Sequence, residues 1–126
     1  MRISKLRAIL AVILFLLLII TTANAQAIKT TVVDILSNPD KFDGKMVQAE
    51  GKVTILKAKV SKKGNPYFTF KLADGDKSLS IFNFGTPSIK EGDSVKVMGR
   101  YQKVKLVGRY TFYNEIDASG GSVEKL

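Results

Sequence analysis

Small or branched apolar residues alternate with polar residues in two similar stretches of the chain, residues 46–53 and 93–101. In each stretch a glycine, Gly51 or Gly99, falls on the apolar face, where a strand of a small barrel must bend sharply. More alternating runs lie between and after them, and no long helical period follows the N-terminal third. This pattern predicts an all-β domain, a compact antiparallel barrel or sandwich.

A short helix is predicted ahead of the strands. The Thr31 hydroxyl is suited to cap its first turn, and Asp34 lies within that turn, where a carboxylate is favourable. Asn38 and Pro39 end the helix, because proline cannot continue the hydrogen-bond ladder and disfavours helical backbone in the residue before it.

Five strands are predicted. They span residues 45–60, 67–73, 78–84, 93–101 and 110–118. In the first strand the apolar phase shifts between Ile55 and Leu56, which predicts a β-bulge. After the third strand, Ile89 is expected to plug the bottom of the barrel.

The segments around the last two strands complete the predicted organisation. Basic loops are expected at residues 62–66 and 103–109. In the fifth strand, apolar spacing assigns three residues to the core, namely Phe112, Ile116 and Ala118. Residues 119–122 are rich in serine and glycine and are expected to begin a frayed tail.

Residues 1–25 have the organisation of a secretory signal peptide. Arg2, Lys5 and Arg7 precede an apolar run at residues 8–20, and Ala23-Asn24-Ala25 provides small residues for cleavage after Ala25. The alternative is an uncleaved membrane anchor, but 13 apolar residues are short against the roughly 20 that span a bilayer. We therefore expect a periplasmic or secreted protein whose single domain is residues 26–126.

The charge balance favours anionic partners. The chain carries 20 basic and 11 acidic residues, and without residues 1–25 the counts are 17 and 11, a net charge of +6. Such an excess suits nucleic acid, anionic lipid headgroups or acidic glycans, although basic surfaces also serve solubility alone.

The residue types that most often carry chemistry are scarce in this chain. It has no cysteine and no histidine, so we predict no transition-metal site and no cofactor. Without histidine the usual nucleophile–base pair cannot form, and no glycine-rich phosphate loop is present. The close acidic pairs, such as Asp74 and Asp76, flank glycine and are typical of turns. We therefore predict no catalytic residues and no enzyme.

The order of elements and several local phrases resemble those of the OB-fold barrel. Residues 38–47, 70–74 and 92–99 look like the corresponding phrases of exported bacterial OB-fold proteins classed as nucleic-acid-binding. They resemble less closely the small periplasmic OB-fold proteins associated with stress tolerance. The resemblance covers about residues 31–118 and implies a five-stranded OB-fold Greek-key barrel with a short N-terminal helix. The exported OB-fold haem chaperone attaches haem through histidine, so its function does not carry over.

The resemblance also implies a binding surface, because OB-folds bind ligands on the outer face of their second and third strands and on two flanking loops. Here the face residues are Tyr67, Thr69, Lys71, Ser80, Phe82 and Phe84, and the loop cations are Lys62, Lys63, Lys103, Lys105 and Arg109. Rings that stack on bases and cations that neutralise phosphates suit single-stranded nucleic acid, bound with little sequence preference.

Other interpretations remain open at this point. The rings could be covered by the N-terminal helix or by a partner protein, and the lysines could be solvated surface. The protein could then be a periplasmic envelope or stress protein that binds a protein or small ligand. It could also be a module held at a membrane by residues 8–20 or by its lysines.

Overall fold

The computed structural model describes residues 26–126. The predicted signal peptide, residues 1–25, lies outside the described residues. Between residues 26 and 126, no helix combines the length and hydropathy required to cross a membrane.

Two short helices and six strands make up the described chain. They are β1 (Ile28–Lys29), α1 (Val32–Ser37), α2 (Pro39–Phe42), β2 (Met46–Val60), β3 (Pro66–Asp74), β4 (Lys77–Phe84), β5 (Ser94–Val107) and β6 (Tyr110–Lys125). The predicted cap is confirmed, since the Asp34 amide donates to the Thr31 hydroxyl over 3.0 Å. The predicted stop is also confirmed, since α1 ends at Ser37 and Pro39 opens a separate helical turn.

The sheet closes into a barrel of five strands. Its order is β1-β2-β3-β4-β6-β5, and β2 also pairs with β5, so that β2 through β6 form a ring. Only β4 and β6 pair in parallel within that ring. The prediction of an all-β five-stranded barrel is confirmed, and β1, which pairs with β2 at two positions, is an addition to it.

The barrel encloses one core, to which every helix and strand except β1 contributes. α1 contributes Val32 and Ile35, both fully buried, and the linker after β4 contributes Ile89. The prediction that Ile89 is an interior residue is confirmed. Because the ring of strands and this core both lie within residues 26–126, that segment contains a complete barrel.

β2 passes from one side of the barrel to the other and bends twice. At Gly51 an added Cβ would lie 2.6 Å from the Ala73 carbonyl oxygen, so only glycine allows this approach of β3. At the second bend the pairing with β3 shifts between Thr54 and Lys57, and Ile55 has a positive φ of 50°. The predicted bulge is confirmed.

The predicted basic loop at residues 103–109 is wrong. β5 continues to Val107, the turn is Gly108-Arg109, and β6 begins at Tyr110. Lys103, Val104, Lys105 and Leu106 alternate between polar and apolar residues, as in a strand. The two lysines led to the prediction of a loop. Residues 103–114 form a two-stranded ribbon, here named the arm, that extends beyond the last residue of β5 paired with β2, Arg100.

Two other predictions for the C-terminal part are wrong. Phe112 is on the arm and exposed, whereas Ile116 and Ala118 are in the core as predicted. Residues 119–122 do not fray, because β6 runs to Lys125 and pairs again with β5 after a register shift. Gly121 permits that return, since an added Cβ there would collide with the Met98 carbonyl.

Candidate nucleic-acid interface

The outer face of β3 and β4 carries the predicted face residues in register. Strand alternation sends Phe68, Phe70 and Leu72 into the core, so the residues between them point outward. Pairing then aligns outward residues across strands in three rows. The rows are Lys59-Tyr67-Phe84, then Lys57-Thr69-Phe82-Asp117, then Thr54-Lys71-Ser80-Glu115.

Three aromatic rings form a continuous cluster on this face. The Tyr67 and Phe82 ring centroids are 5.7 Å apart, and those of Phe82 and Phe84 are 5.1 Å apart in an edge-to-face arrangement. Phe84 is 62% exposed, whereas Tyr67 and Phe82 are partly covered. The helix α1 therefore does not cover the outermost ring.

Two lysines that were not assigned to the site lie in the same rows. Lys57 pairs with Thr69 and Lys59 pairs with Tyr67, and both lysines are exposed. Alternation after the bulge predicts that both lysines point outward, but it does not connect them to the aromatic face. Connecting these lysines to the rings requires the pairing register of β2 with β3, which the sequence does not provide.

Lys71 lies at the centre of the third row. Its ammonium donates to the Ser80 hydroxyl over 2.6 Å on the neighbouring strand. This hydrogen bond holds the lysine side chain across the face. Within residues 26–126, Lys71 forms no ion pair with an acidic residue.

Lys105 is committed to contacts within the protein. Its Nζ lies 2.9 Å from Glu115 Oε1 and 3.9 Å from Asp117 Oδ2, and 4.6 Å from the centroid of the Phe82 ring. Glu115 is the one charged side chain that is buried among the described residues. Ion pairing and the cation–π contact together fix Lys105 over one side of Phe82.

The other predicted cations are more peripheral. Lys103 Nζ pairs with Asp40 over 3.0 Å, and the Arg109 guanidinium lies over the Tyr110 ring at the tip of the arm. Lys62 and Lys63 lie in the exposed turn between β2 and β3, beyond the Lys59 row. The structure thus brings Lys71 and Lys105 together with the rings. The other four predicted cations lie in the β2–β3 turn and on the arm.

Tyr101 anchors the base of the arm in the barrel. Its hydroxyl donates to Asn114 Oδ1 over 2.5 Å, and Asn114 has a positive φ of 51°. Burial raises the pKa of Tyr101 above its ordinary value of 10.0, and the negative charges of Asp43 and Asp40 raise it further. The phenol is therefore neutral at physiological pH.

Cavities do not define the aromatic face. A cleft of about 890 Å³ lies on another part of the barrel, between β1 and the β3–β4 turn, and its lining includes Lys29, Glu50 and Asp74. A hollow of about 170 Å³ adjoins the face beside Lys59 and Tyr67. In residues 26–126 there is no cluster of three or more side chains able to hold a metal ion.

No protein-family model matches the sequence, and no curated protein matches it. Solved structures do match. The chain is similar to the crystal structure of yeast Stn1 and Ten1, with a TM-score of 0.58 and 13% identity, over 81% of this chain and 64% of that one. It therefore spans less than two thirds of the length of that chain.

Two further solved structures are similar in fold. The OB domain of Ta0387 from Thermoplasma acidophilum matches with a TM-score of 0.51 and 18% identity, over 79% of this chain and 88% of that one. A protein described as an aspartyl-tRNA synthetase from Leishmania major Friedlin matches with a TM-score of 0.54 and 17% identity, over 81% of this chain and 21% of that one. At these identities the likeness shows the fold alone, and the fold is the OB fold.

Proposed function

We propose that this protein is an exported, non-enzymatic OB-fold module that binds single-stranded nucleic acid on the outer face of β3 and β4. The observation that carries the proposal is the cluster of Tyr67, Phe82 and Phe84, whose rings are in contact and bordered by lysines. One similar structure is described as an aspartyl-tRNA synthetase. That description refers to tRNA, a nucleic acid, and so agrees with the proposal.

Bases stack on Phe84 and Tyr67 rather than on Phe82. Phe84 is the most exposed of the three rings, whereas Lys105 already lies over Phe82 at 4.6 Å. Stacking on an aromatic side chain is worth about 1–3 kcal/mol per base. Loss of the Phe84 ring should therefore weaken binding more than loss of the partly covered Phe82 ring.

The phosphate backbone runs along the β2 side of the face. Lys57 and Lys59 line that side, and neither belongs to an ion pair among residues 26–126. On the β6 side, Glu115 and Asp117 neutralise Lys105 and would repel a phosphate. Lys62 and Lys63 continue the positive border past the end of β2.

The proposal includes export. Residues 1–25 act as a cleaved signal peptide, and the available ligand is nucleic acid outside the cytoplasm. The test is the intact mass of the protein recovered from the producing cells. A mass corresponding to residues 26–126 supports cleavage after Ala25, whereas an uncleaved chain supports the membrane-anchored alternative.

Binding is tested by fluorescence anisotropy of a labelled single-stranded oligonucleotide titrated with residues 26–126. Phe84→Ala should raise Kd by roughly 5-fold to 150-fold if one stacked base is lost, while Phe84→Tyr keeps a ring and should bind nearly as the parent does. For the phosphates, the double variant Lys57→Ala/Lys59→Ala should reduce the slope of log K against log salt by about 1.4, at roughly 0.7 per phosphate contact.

A matched charge control is Lys45→Ala/Lys90→Ala, since both lysines are exposed and lie outside the three rows. Equal loss of binding in the two double variants would indicate a general effect of net charge and contradict the proposed path. Absence of saturable binding at low salt would contradict the nucleic-acid proposal and favour an envelope protein that uses the aromatic face for another partner.

A further inference from the structure

The arm has two edges that pair with no other strand of the described chain. β5 pairs with β2 only as far as Arg100, and β6 pairs with β4 only at residues 115–117. Within the described chain, the paired arm residues, from Val104 with Tyr113 to Val107 with Tyr110, therefore pair with no third strand. A two-stranded ribbon without further packing is marginally stable in water.

The arm also concentrates exposed apolar surface. Half of the twelve large exposed apolar side chains in residues 26–126 belong to it, which makes it the main unburied apolar surface of the barrel. They are Val104, Leu106, Val107, Tyr110, Phe112 and Tyr113. The pairing register places Val104, Leu106 and Tyr113 on one face of the arm and the other three on the opposite face. Exposed apolar surface concentrated in one element often marks an interaction site.

The two edges of the arm differ in charge. The β5 edge carries Lys103 and Lys105, and lysine on an edge strand opposes pairing with another strand. The β6 edge, residues 110–114, reads Tyr-Thr-Phe-Tyr-Asn and has no charged residue and no proline. One edge is therefore protected and the other is suited to accept a strand.

We propose that two copies of this chain associate by antiparallel pairing of residues 110–114 of β6 about a two-fold axis. The two arms then form one four-stranded sheet in the order β5-β6-β6-β5. Residues 110–114 carry no charge, so pairing of this segment with its own copy places no like charges opposite one another. Pairing through β5 would place the lysines of one copy opposite those of the other. A second copy of the chain is favoured over an acidic partner protein, because the β6 edge that would pair carries no charge.

The same arrangement explains why association stops at two copies. Both lysine-bearing β5 strands become the outer edges of the four-stranded sheet, so the exposed edges are again protected. Lys103 and Lys105 are also paired with Asp40 and Glu115, which lowers the repulsion between two basic arms.

The interface is small. Aromatic side chains bury about 150–250 Å² each when fully covered, and the three rings of each arm are between 44% and 66% exposed. The two copies together then cover several hundred Å² of ring surface, below the roughly 1,200 Å² of a standard stable interface. We therefore expect a weak dimer, with a dissociation constant on the order of 10–100 µM.

The test is sedimentation velocity of residues 26–126, freed of nucleic acid, from about 5 to 500 µM. The proposal predicts a monomer–dimer shift that Tyr113→Lys abolishes, because it puts a charge into the neutral edge. Leu106→Lys is the matched control, since Leu106 is an exposed apolar residue of the β5 strand of the same arm. It should leave at least half of the dimer at 500 µM.

Cysteine cross-linking identifies the paired strand independently. The chain has no cysteine, so one introduced thiol forms only intermolecular disulfides. Phe112→Cys, at the middle of the segment, should oxidise to a dimer at least 10-fold faster than Val104→Cys on the β5 strand. Circular dichroism verifies that each variant is folded. A monomer at 500 µM, equal loss of dimer with Leu106→Lys, or equal cross-linking at both positions would overturn the proposal.

Discussion

Gly99 is a position where the barrel should tolerate a single added methyl group poorly. A Cβ added there would lie 2.8 Å from the Asp117 carbonyl carbon and 2.8 Å from Ile116 Cγ2, and closer still to the Asp117 carbonyl oxygen. Cβ atoms essentially never approach another heavy atom within 3.0 Å, and ordinary contact begins at 3.4 Å. Gly99→Ala therefore requires β6 to move away from β5 by about 0.6 Å or more.

The expected loss of stability follows from what obstructs the methyl group. Overpacking of a filled core costs about 1–3 kcal/mol, and here the obstacle is mainly backbone, which cannot rotate away. We expect a value near the upper end, about 3 kcal/mol. For a domain of this size that corresponds to a fall in Tm of roughly 12–24 °C.

Gly120→Ala is the matched control, because an added Cβ at Gly120 has no heavy atom within 4 Å. Both variants of residues 26–126 are unfolded in urea and monitored by far-ultraviolet circular dichroism. With an m-value of about 1.5 kcal/mol/M, the midpoint of Gly99→Ala should fall by about 2 M, whereas Gly120→Ala should remain within about 0.5 kcal/mol of the parent. Similar midpoints for the two variants would refute the steric argument.

Three further predictions concern the core, the helix cap and alkaline pH, and each is measured by urea unfolding. Ile35→Ala should cost about 2–5 kcal/mol, because the side chain is fully buried; a cost below about 1 kcal/mol would contradict the contribution of α1 to the core. Thr31→Ala should cost about 0.5–2 kcal/mol through loss of the bond to the Asp34 amide, and Thr31→Ser should restore it. The pKa of Tyr101 is raised in the folded state above 10.0, so stability should decline as the pH rises past about 10 and the unfolded phenol ionises first. Tyr101→Phe should lessen that decline, and an unchanged slope would contradict it.

The central part of the barrel could be predicted because its signals are local. Alternation identifies strands β2 to β4, the phase shift at Ile55 identifies the bulge, and Thr31 and Pro39 delimit the helix. Each of these depends on residues within a few positions of one another. The strand β1 was not predicted, because it has only two paired residues and is too short to show an alternating pattern.

The wrong predictions for the C-terminal part arise where the amino-acid composition of a segment suggests a loop or tail although its residue pattern is that of a strand. Residues 103–107 alternate like a strand, but three cations between 103 and 109 are also typical of a loop. Gly120 and Gly121 resemble a flexible tail, yet Gly121 allows β6 to cross close to Met98 and resume pairing. Apolar spacing groups Phe112 with Ile116 and Ala118, but Phe112 lies on the arm and is exposed.

The charge distribution of the aromatic face depends on pairings that composition cannot reveal. Antiparallel pairing of β2 with β3 aligns Lys57 with the rings, whereas parallel pairing of β4 with β6 brings Glu115 and Asp117 against the opposite side. Lys105, one of the predicted ligand-binding cations, is then held by those carboxylates over Phe82. A basic sequence therefore predicts that an anion could bind. The fold adds that carboxylates lie along the β6 side of this face, whereas the lysines along its β2 side belong to no ion pair among residues 26–126.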